Sequence, residues 1–427
     1  MMPDMRRLLI LFLIVPVLFW SCTATDVFGD GYAMDTSISV EEKLLHYGGV
    51  PVLVNEPEPF FEGTQAVTRL TELVEQSEDY ILISTFLGSY VPSLDDFYAA
   101  LAKKAMEGVD VYIMMDGISS LDMTESRWYM TPLYFLRESG AHVLEYSPMS
   151  FPRAINPMEL LIRDHRKLFV FDGKSSAIGG LNINYISMGA GPEKNQRDSM
   201  YIFEDSYDLS KVFVDEFVSN WNDASVEKIK AEDFHTYSDE VKGDIQAYLF
   251  NQVHGGDIQV SDLYSTLINS ATESVRILPY LPVLDGEMAG CIKRAVDRGV
   301  YVEFVMPMDS RGYAEAGVRY LLPKLAETGA DIYLSPVDED HPMLHEKLMV
   351  VDGRYSVIGS ANFNYRSMQL AHEIALVLDD EDLSREFEEH IESLRAVDTI
   401  HIDPETAEAM NDDGGSWLAY MSIYLGG

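Results

Sequence analysis

The stretch DHRKLFVFDGKSSAIGGLNINYIS, residues 164–187, returns as LHEKLMVVDGRYSVIGSANFNYRS at residues 344–367. Laid over one another, the two give His-x-Lys, four residues, Asp, six residues, then Gly-(Gly/Ser)-x-Asn. The matched positions are His165, Lys167, Asp172, Gly179, Gly180 and Asn182 in one copy, and His345, Lys347, Asp352, Gly359, Ser360 and Asn362 in the other. A single His-x-Lys says little; two copies with identical internal spacing are specific. In a strand, alternate side chains share a face, so each imidazole points the same way as its ammonium neighbour. A phosphodiester anion asks for such a set. Lys supplies a compact positive charge to the non-bridging oxygens, and a Gly-rich turn brings backbone and side-chain amides close to them.

His165, Lys167, Asp172, His345, Lys347 and Asp352 are therefore the candidate catalytic set, and Asn182, Asn362 and Ser360 the candidate phosphate-binding residues. Asp172 and Asp352 each precede Gly, and Asp-Gly favours a tight turn, so the preferred reading is that they shape the strand ends. Arg163 and Arg166 flank the first His, and two readings stand equal: they steer a phosphate, or they pair with local acids. His372 reads as a structural or rim residue. His341 and His345 have helical metal-pair spacing, but Pro342 and the strand-like residues after it argue against a helix, and no metal site is expected.

Outward from the motif, three further segments occur twice in the same order. They are VTRLTELVEQSEDYILIST (67–85) with LYSTLINSATESVRILPY (263–280), ALAKKAMEGVDVYIMMD (100–116) with CIKRAVDRGVYVEFVMP (291–307), and LRESGAHVLEYSP (136–148) with LAETGADIYLSP (325–336). Helical periodicity gives way to short Val/Ile/Tyr-rich runs at Gly punctuation, which indicates repeated αβ units. The expected fold class is α/β, duplicated, with a mixed and mainly parallel sheet in each half covered on both faces. A repeat of this length is a duplicated domain and not a solenoid.

The 427 residues contain 70 acidic and 31 basic side chains, a formal net charge of -39. Such a surface repels polyphosphate chains and disfavours sequence-independent nucleic-acid binding unless a basic groove lies inside. There are two cysteines, Cys22 and Cys291. They cannot build a disulfide framework or a metal cluster, and Cys291 reads as a packed core thiol in a helix.

At the amino terminus Arg6 and Arg7 precede the apolar run LLILFLIVPVLFW (8–20), then Ser21 and Cys22. A positive start, a short apolar run and a small residue describe a secretory signal. The Cys placement is similar to a bacterial lipoprotein signal with Cys22 as the lipidated residue; an uncleaved anchor is the alternative. Both export the body and attach it to a membrane. The chain accordingly divides into a signal or anchor (1–22), a linker (23–50), a first half (51–240), a second half (241–398) and a tail (399–427). The tail ends GSWLAYMSIYLGG, apolar and aromatic, suited either to a lipid interface or to packing on the body.

The doubled motif resembles the HKD signature of the phospholipase D superfamily, and the resemblance runs from about residue 51 to 398. It implies a duplicated α/β/α sandwich whose two motifs face each other across a pseudo-twofold axis. It implies covalent catalysis without metal or cofactor: one His, here His165, attacks phosphorus, and the other, His345, serves as acid and base, although near-symmetry leaves the reverse order open. Family members place a carboxylate a few tens of residues past each His to orient it, and Asp198 and Glu373 occupy those places. The first half is similar to bacterial cardiolipin synthases in EGVDV, DHRKLFVFDG and GGLNI. This implies a phospholipid substrate, phosphatidylglycerol, at a membrane surface. Hydrolysis to phosphatidic acid, a nuclease, and an inactive scaffold are the other readings; a scaffold predicts decay of one motif, and neither is decayed.

Overall fold

The computed structural model describes residues 32–88, 92–117, 135–147, 162–189, 196–237, 243–257, 259–280, 282, 286–308, 313–338 and 340–426. Residues 1–22, where a signal or anchor and Cys22 are expected, lie outside them. After a short helix, α1 (Val40–His46), and a strand, β1 (Val50–Val54), come β2 (Glu58–Phe60), α2 (Gly63–Gln76), β3 (Tyr80–Thr85), α3 (Asp95–Glu107), β4 (Asp110–Asp116) and β5 (His142–Tyr146). The first motif follows as β6 (Leu168–Phe171), β7 (Ser175–Gly179) and α4 (Tyr185–Met188), then β8 (Gln196–Arg197), β9 (Met200–Glu204) and α5 (Tyr207–Ala224). The second half runs β10 (Ile245–Gln252), α6 (Gln259–Ser270), β11 (Ser274–Leu278), α7 (Gly286–Asp297), β12 (Tyr301–Pro307), α8 (Tyr313–Ala326) and β13 (Asp331–Ser335). Its motif spans β14 (Met343–Leu344), β15 (Leu348–Val351), β16 (Tyr355–Gly359) and α9 (Tyr365–Gln369), followed by β17 (Glu373–Asp379) and α10 (Glu381–Arg395). Strand β18 (Ile400–His401) and helices α11 (Pro404–Asp412) and α12 (Trp417–Gly426) close the chain.

A seven-stranded sheet, β2-β9-β7-β6-β3-β4-β5, carries the first half and a nine-stranded sheet, β1-β10-β17-β16-β15-β11-β12-β13-β18, the second. The sheets are mixed, as expected, but most pairings are antiparallel. Parallel pairs in these two sheets are β3 with β4, β4 with β5, β11 with β12 and β12 with β13. The physical reason is the motif itself, which folds back on a tight turn. Asp172 (φ +52°) and Gly173 (φ +65°), like Asp352 (φ +52°) and Gly353 (φ +58°), both occupy left-handed conformations. Two successive positive φ angles make a hairpin turn whose twist matches the strands, so β6/β7 and β15/β16 pair antiparallel.

Alternation along the central strands builds the layers. In β3, Ile81 and Ile83 join the core under α2 and α3, while Tyr80 and Leu82 face Phe213, Phe217 and Trp221 of α5. In β15, Leu348 and Val350 enter that second core beside Phe387 and Ile391 of α10, and Met349 and Val351 face α6, α7 and α8 on the other side. The middle core thus holds helices from both halves between the two sheets. Each such side chain contributes about 1.5–3 kcal/mol on burial, so this layer ties the halves together.

Two segments depart from expectation. Residues up to 50 are not all linker: α1 is capped by the Ser39 side chain on the Glu42 N–H and buries Leu44 in the second half's core. Seven residues are too short for a readable helical period. Strand β1 follows and pairs with β10 of the second sheet, Val50 opposite Leu249, although in sequence it opens the first half. The tail packs on the body: Ala419 and Ile423 are buried, and Tyr424 stacks on Tyr365 at 4.7 Å between centroids. Cys291 is fully buried. Among the described residues no helix is long and apolar enough to cross a membrane.

Candidate active site

The halves meet where the motifs begin. Gln196–Arg197 pair in parallel with Met343–Leu344, and Asp164 bridges His372 in the same sense. The backbone N–H of His165 donates to the His372 carbonyl (3.0 Å), and that of His345 to the Arg197 carbonyl (2.7 Å). Each motif strand therefore starts against the residue that precedes the other half's carboxylate.

That register exchanges the partners. His165 Nδ1 lies 3.0 and 3.1 Å from the Glu373 oxygens, and His345 Nδ1 bonds to Asp198 Oδ2. The two carboxylates do orient toward the imidazoles, but each serves the His of the opposite half, whereas distance along the chain suggested its own. All four side chains are buried. Burial would raise the Glu373 carboxyl, but His165, Lys167 and the Ser360 hydroxyl outweigh it and hold it at about 2. Burial likewise opposes ionisation of Asp198, and Lys347 and His345 overcome it, so its affinity for a proton falls. Burial, with Lys neighbours adding, pushes His165 down to about 4 and His345 to about 3. At neutral pH the resting site thus holds two neutral imidazoles and two carboxylates.

The tautomers differ between the halves. His165 Nδ1 faces only acceptor oxygens, so it carries the proton and leaves a lone pair on Nε2. His345 Nδ1 faces both an acceptor, Asp198, and a donor, Lys347 Nζ at 2.6 Å. Both proton placements are served there, which suits a group that gives and takes a proton on Nε2. Lys167 Nζ donates to the His165 carbonyl at 2.7 Å, and Lys347 Nζ lies 3.1 Å from Asp198. Burial lowers both lysines, Lys167 to about 7. A phosphate arriving between them favours their charged forms.

The other sequence-selected residues fall as follows. Asn182 Oδ1 accepts from the Leu87 N–H at 3.3 Å, and Asn362 Oδ1 is buried without a partner among the described residues. The Ser360 hydroxyl donates to Glu373 at 2.5 Å and accepts from the Ile374 N–H, so it supports the carboxylate instead of facing outward to a phosphate. The matching residue, Gly180, has no room for a side chain: a Cβ there would lie 2.1 Å from Asp198 Oδ1. Glu with Ser in one half-site thus corresponds to Asp with Gly in the other. Asp172 and Asp352 are corrected out of the catalytic set. The Asp172 carboxylate accepts from the N–H groups of Glu78, Asp79 and Tyr80, and Asp352 from those of Thr272, Glu273 and Ser274. They pin the hairpin turn to the start of the neighbouring strand.

Arg166 is chelated by Asp164 at 2.8 Å, and Arg163 pairs with Asp116 at 2.9 Å, which favours acid pairing for both. His372 is buried, with Nε2 3.2 Å from the Tyr146 hydroxyl. His341 bonds Asp338, away from His345. No cluster of metal-ligating side chains is present among the described residues.

Sequence reading missed the aromatic walls. Phe86 meets His165 edge-on at 4.7 Å between centroids with Lys167 Nζ 5.2 Å from its ring, and Tyr280 lies 3.9 Å from His345 with Lys347 Nζ at 5.5 Å. Their signal was present: both follow equivalent strands, β3 and β11, at the same offset. A buried Arg366 behind Phe86 (5.6 Å) was also missed, though it lies inside the repeated stretch opposite Ile186.

Comparison with known proteins agrees with this architecture. The family model described as "Cardiolipin synthase, PLD-like domain" matches residues 70–221 and 264–395. The chain is 26% identical over 353 residues to the probable cardiolipin synthase YwiE of Bacillus subtilis, covering 80% of this chain and 65% of that one. It is 26% identical over 351 residues to a cardiolipin synthase of Listeria monocytogenes, covering 81% of this chain and 70% of that one. The chain thus spans less than two thirds of the Bacillus relative's length. The crystal structure of phosphatidylserine synthase from Haemophilus influenzae superposes with a TM-score of 0.64 at 17% identity, covering 88% of this chain and 96% of that one. That likeness concerns the fold.

Proposed function

The chain belongs to the cardiolipin synthase, PLD-like domain family, and from that premise we propose that it transfers a phosphatidyl group from phosphatidylglycerol to a second phosphatidylglycerol, releasing glycerol and forming cardiolipin. The observation that carries this reading is the exchanged pair of His–carboxylate contacts, which leaves both Nε2 atoms for one substrate. His165 Nε2 attacks phosphorus, and the P–O bond to glycerol breaks as His345 delivers a proton to the leaving oxygen. The anionic phosphodiester raises the proton affinity of the neighbouring imidazole, so His345 is charged with substrate present although neutral without it. His345 then removes the proton of the acceptor hydroxyl, whose oxygen displaces His165 from phosphorus. Lys167 and Lys347 stabilise the charge on the non-bridging oxygens.

The acidic composition supports a lipid over a nucleic-acid substrate. The sequence of the amino-terminal segment supports an exported, membrane-attached body, held by lipidated Cys22 or by an anchor; Cys22→Ser leaving attachment and processing unchanged overturns the lipidated form. The activity is tested by product analysis on phosphatidylglycerol vesicles with His165→Ala as control. Cardiolipin plus glycerol from the wild type alone supports the synthase. Phosphatidic acid without cardiolipin makes water the acceptor, and no lipid product overturns lipid chemistry.

A further inference from the structure

The residue between the motif His and Lys has no part in the steps above, yet it is buried in both halves. It is Arg166 in the first and Glu346, 1% exposed, in the second. Each is answered from the helix that closes its half. Arg166 donates to Asn251 Oδ1 at 3.1 Å, and Asn251 in turn bonds Glu216 of α5. Glu346 Oε2 accepts from His390 Nε2 of α10 at 2.8 Å. Glu216 and His390 are equivalent positions, at the same offset from Ser210 and Ser384, whose hydroxyls meet Ser176 and Ser356 of the two motifs. The duplication has therefore reversed the sign at position 346: a cation facing a carboxylate became a carboxylate facing an imidazole.

The two charges are also held differently. Asp164 chelates Arg166 at 2.8 Å, where the second motif has Leu344. Glu346 has the imidazole of His390, stacked on Phe61 of the first half at 3.6 Å, and the Arg197 guanidinium, whose Nε lies 3.4 Å from Oε1 without a hydrogen bond. The Tyr201 hydroxyl lies within its electrostatic reach. Glu346 Oε1 is buried with no hydrogen-bond partner among the described residues. A buried carboxylate so loosely matched keeps a strong field for the nearest cation. That cation is Lys347, its neighbour in the chain. Lys347 Nζ is buried, 3.1 Å from Asp198 and 2.6 Å from His345 Nδ1, with Tyr280 at 5.5 Å, Lys167 opposite and Glu373 within reach. Burial favours the neutral amine, and Asp198, Glu373 and Glu346 oppose it. Behind Lys167 the corresponding residue is a cation.

We propose that Glu346, held by His390, is a positioning residue for the reaction: its charge, set behind Lys347, keeps that side chain an ammonium and makes it the constant grip on the phosphoryl oxygens. This rests on the reading in which the two motif lysines hold a phosphodiester. The halves then divide the work. Lys347 stays charged beside the acid and base His345, and Lys167 is the lysine that gains its charge as the phosphate arrives.

The test uses the full-length protein with Lys167→Arg, which leaves Lys347 as the motif lysine able to lose its proton, and follows kcat/KM against pH on phosphatidylglycerol vesicles. An ammonium exists below its pKa, so removing a stabilising anion brings its loss to lower pH. With Glu346→Gln added, the alkaline fall is expected about one pH unit lower. A fall at the same pH, whatever the rate, overturns the proposal and leaves Glu346 structural. His390→Gln keeps the carboxylate and a donor to it, and should leave the fall in place; an equal shift there assigns the effect to packing and overturns the proposal too. If Glu346→Gln fails to fold by circular dichroism, Glu346→Met with His390→Leu replaces the pair by apolar groups, and the same shift is required. If the wild type yields no lipid product, the transfer reading fails by itself. The pH dependence of binding dimethyl phosphate, a diester that stays singly charged, then decides: affinity lost at lower pH without Glu346 supports the proposal, and an identical profile or no binding overturns it.

Discussion

His165 and Glu373 stand 208 positions apart in the chain and 3.0 Å apart in space, one from each half. His345 and Asp198 repeat the relationship in the opposite direction. Neither motif His is paired with a carboxylate of its own half, so correct docking of the halves and correct orientation of these two imidazoles are one event. The parallel contacts at Asp164–His372 and Gln196–Arg197 with Met343–Leu344 set that docking to the residue. A slip of one residue there would turn both carboxylates to the wrong face.

Glu373→Gln tests what the charge does beyond geometry. The amide oxygen still accepts from Nδ1, but in the proposed reaction the positive charge that develops on the imidazole loses its counter-charge, and an amide nitrogen can hold the wrong tautomer. A fall in kcat of about a hundred- to ten-thousand-fold is expected, with the folded far-ultraviolet spectrum kept. Asp198→Asn should act on the proton-transfer step at His345, and trapping of a phosphoenzyme after acid quench separates the two. Less intermediate is expected from Glu373→Gln.

The doubled motif made the α/β duplication and the His, Lys and Asn positions readable, because each copy checks the spacing of the other. The partner exchange was not readable. Glu373 and Asp198 each follow their own half's His by a few tens of residues, and no local pattern reports which His they meet after docking. The mainly antiparallel pairing was masked because the antiparallel hairpin lies inside the motif, while the helix-to-strand units around it do form parallel pairs. Phe86 and Tyr280 escaped notice because an aromatic residue after a strand looks the same in a wall of a site as in a core.

Gly180 and Ser360 carry the next expectation. A Cβ at Gly180 would lie 2.1 Å from the Asp198 carboxylate, which is buried and bonded to the Ser199 N–H and to His345. Gly180→Ser should therefore displace Asp198 and cut kcat by at least tenfold. Adding Asp198→Glu copies the Glu–Ser arrangement of the other half-site and should recover part of the loss. A double-mutant cycle measures the coupling, expected at about 0.5–3 kcal/mol for groups in contact; additive effects would mean the two positions act separately.

The motif aspartates should separate stability from chemistry. Asp172 accepts three backbone N–H groups at 2.8–2.9 Å and touches neither His165 nor Lys167. Asp172→Ala leaves those donors unmet and should destabilise the fold by about 1–3 kcal/mol, read as a lowered urea midpoint. The kcat of the molecules that remain folded should stay within a few-fold of wild type. A hundredfold loss of kcat at unchanged stability would return Asp172 to the chemistry.

The pH profile follows from the buried groups. In the proposed reaction His165 attacks as the neutral imidazole, and its proton affinity corresponds to about 4, so kcat/KM should fall as pH drops through that region. In the same proposal Lys167 binds the phosphate as its ammonium, and burial has brought it to about 7. Because the charged form exists below that value, kcat/KM should fall again as pH rises past neutrality. Bound phosphate stabilises the ammonium, so the alkaline limb of kcat should lie at higher pH than that of kcat/KM. Lys167→Arg, whose side chain stays protonated throughout, should lower the rate and shift the alkaline limb upward or abolish it. An alkaline limb that persists unmoved in Lys167→Arg would assign it to another group, with Lys347, buried beside Asp198, next in line.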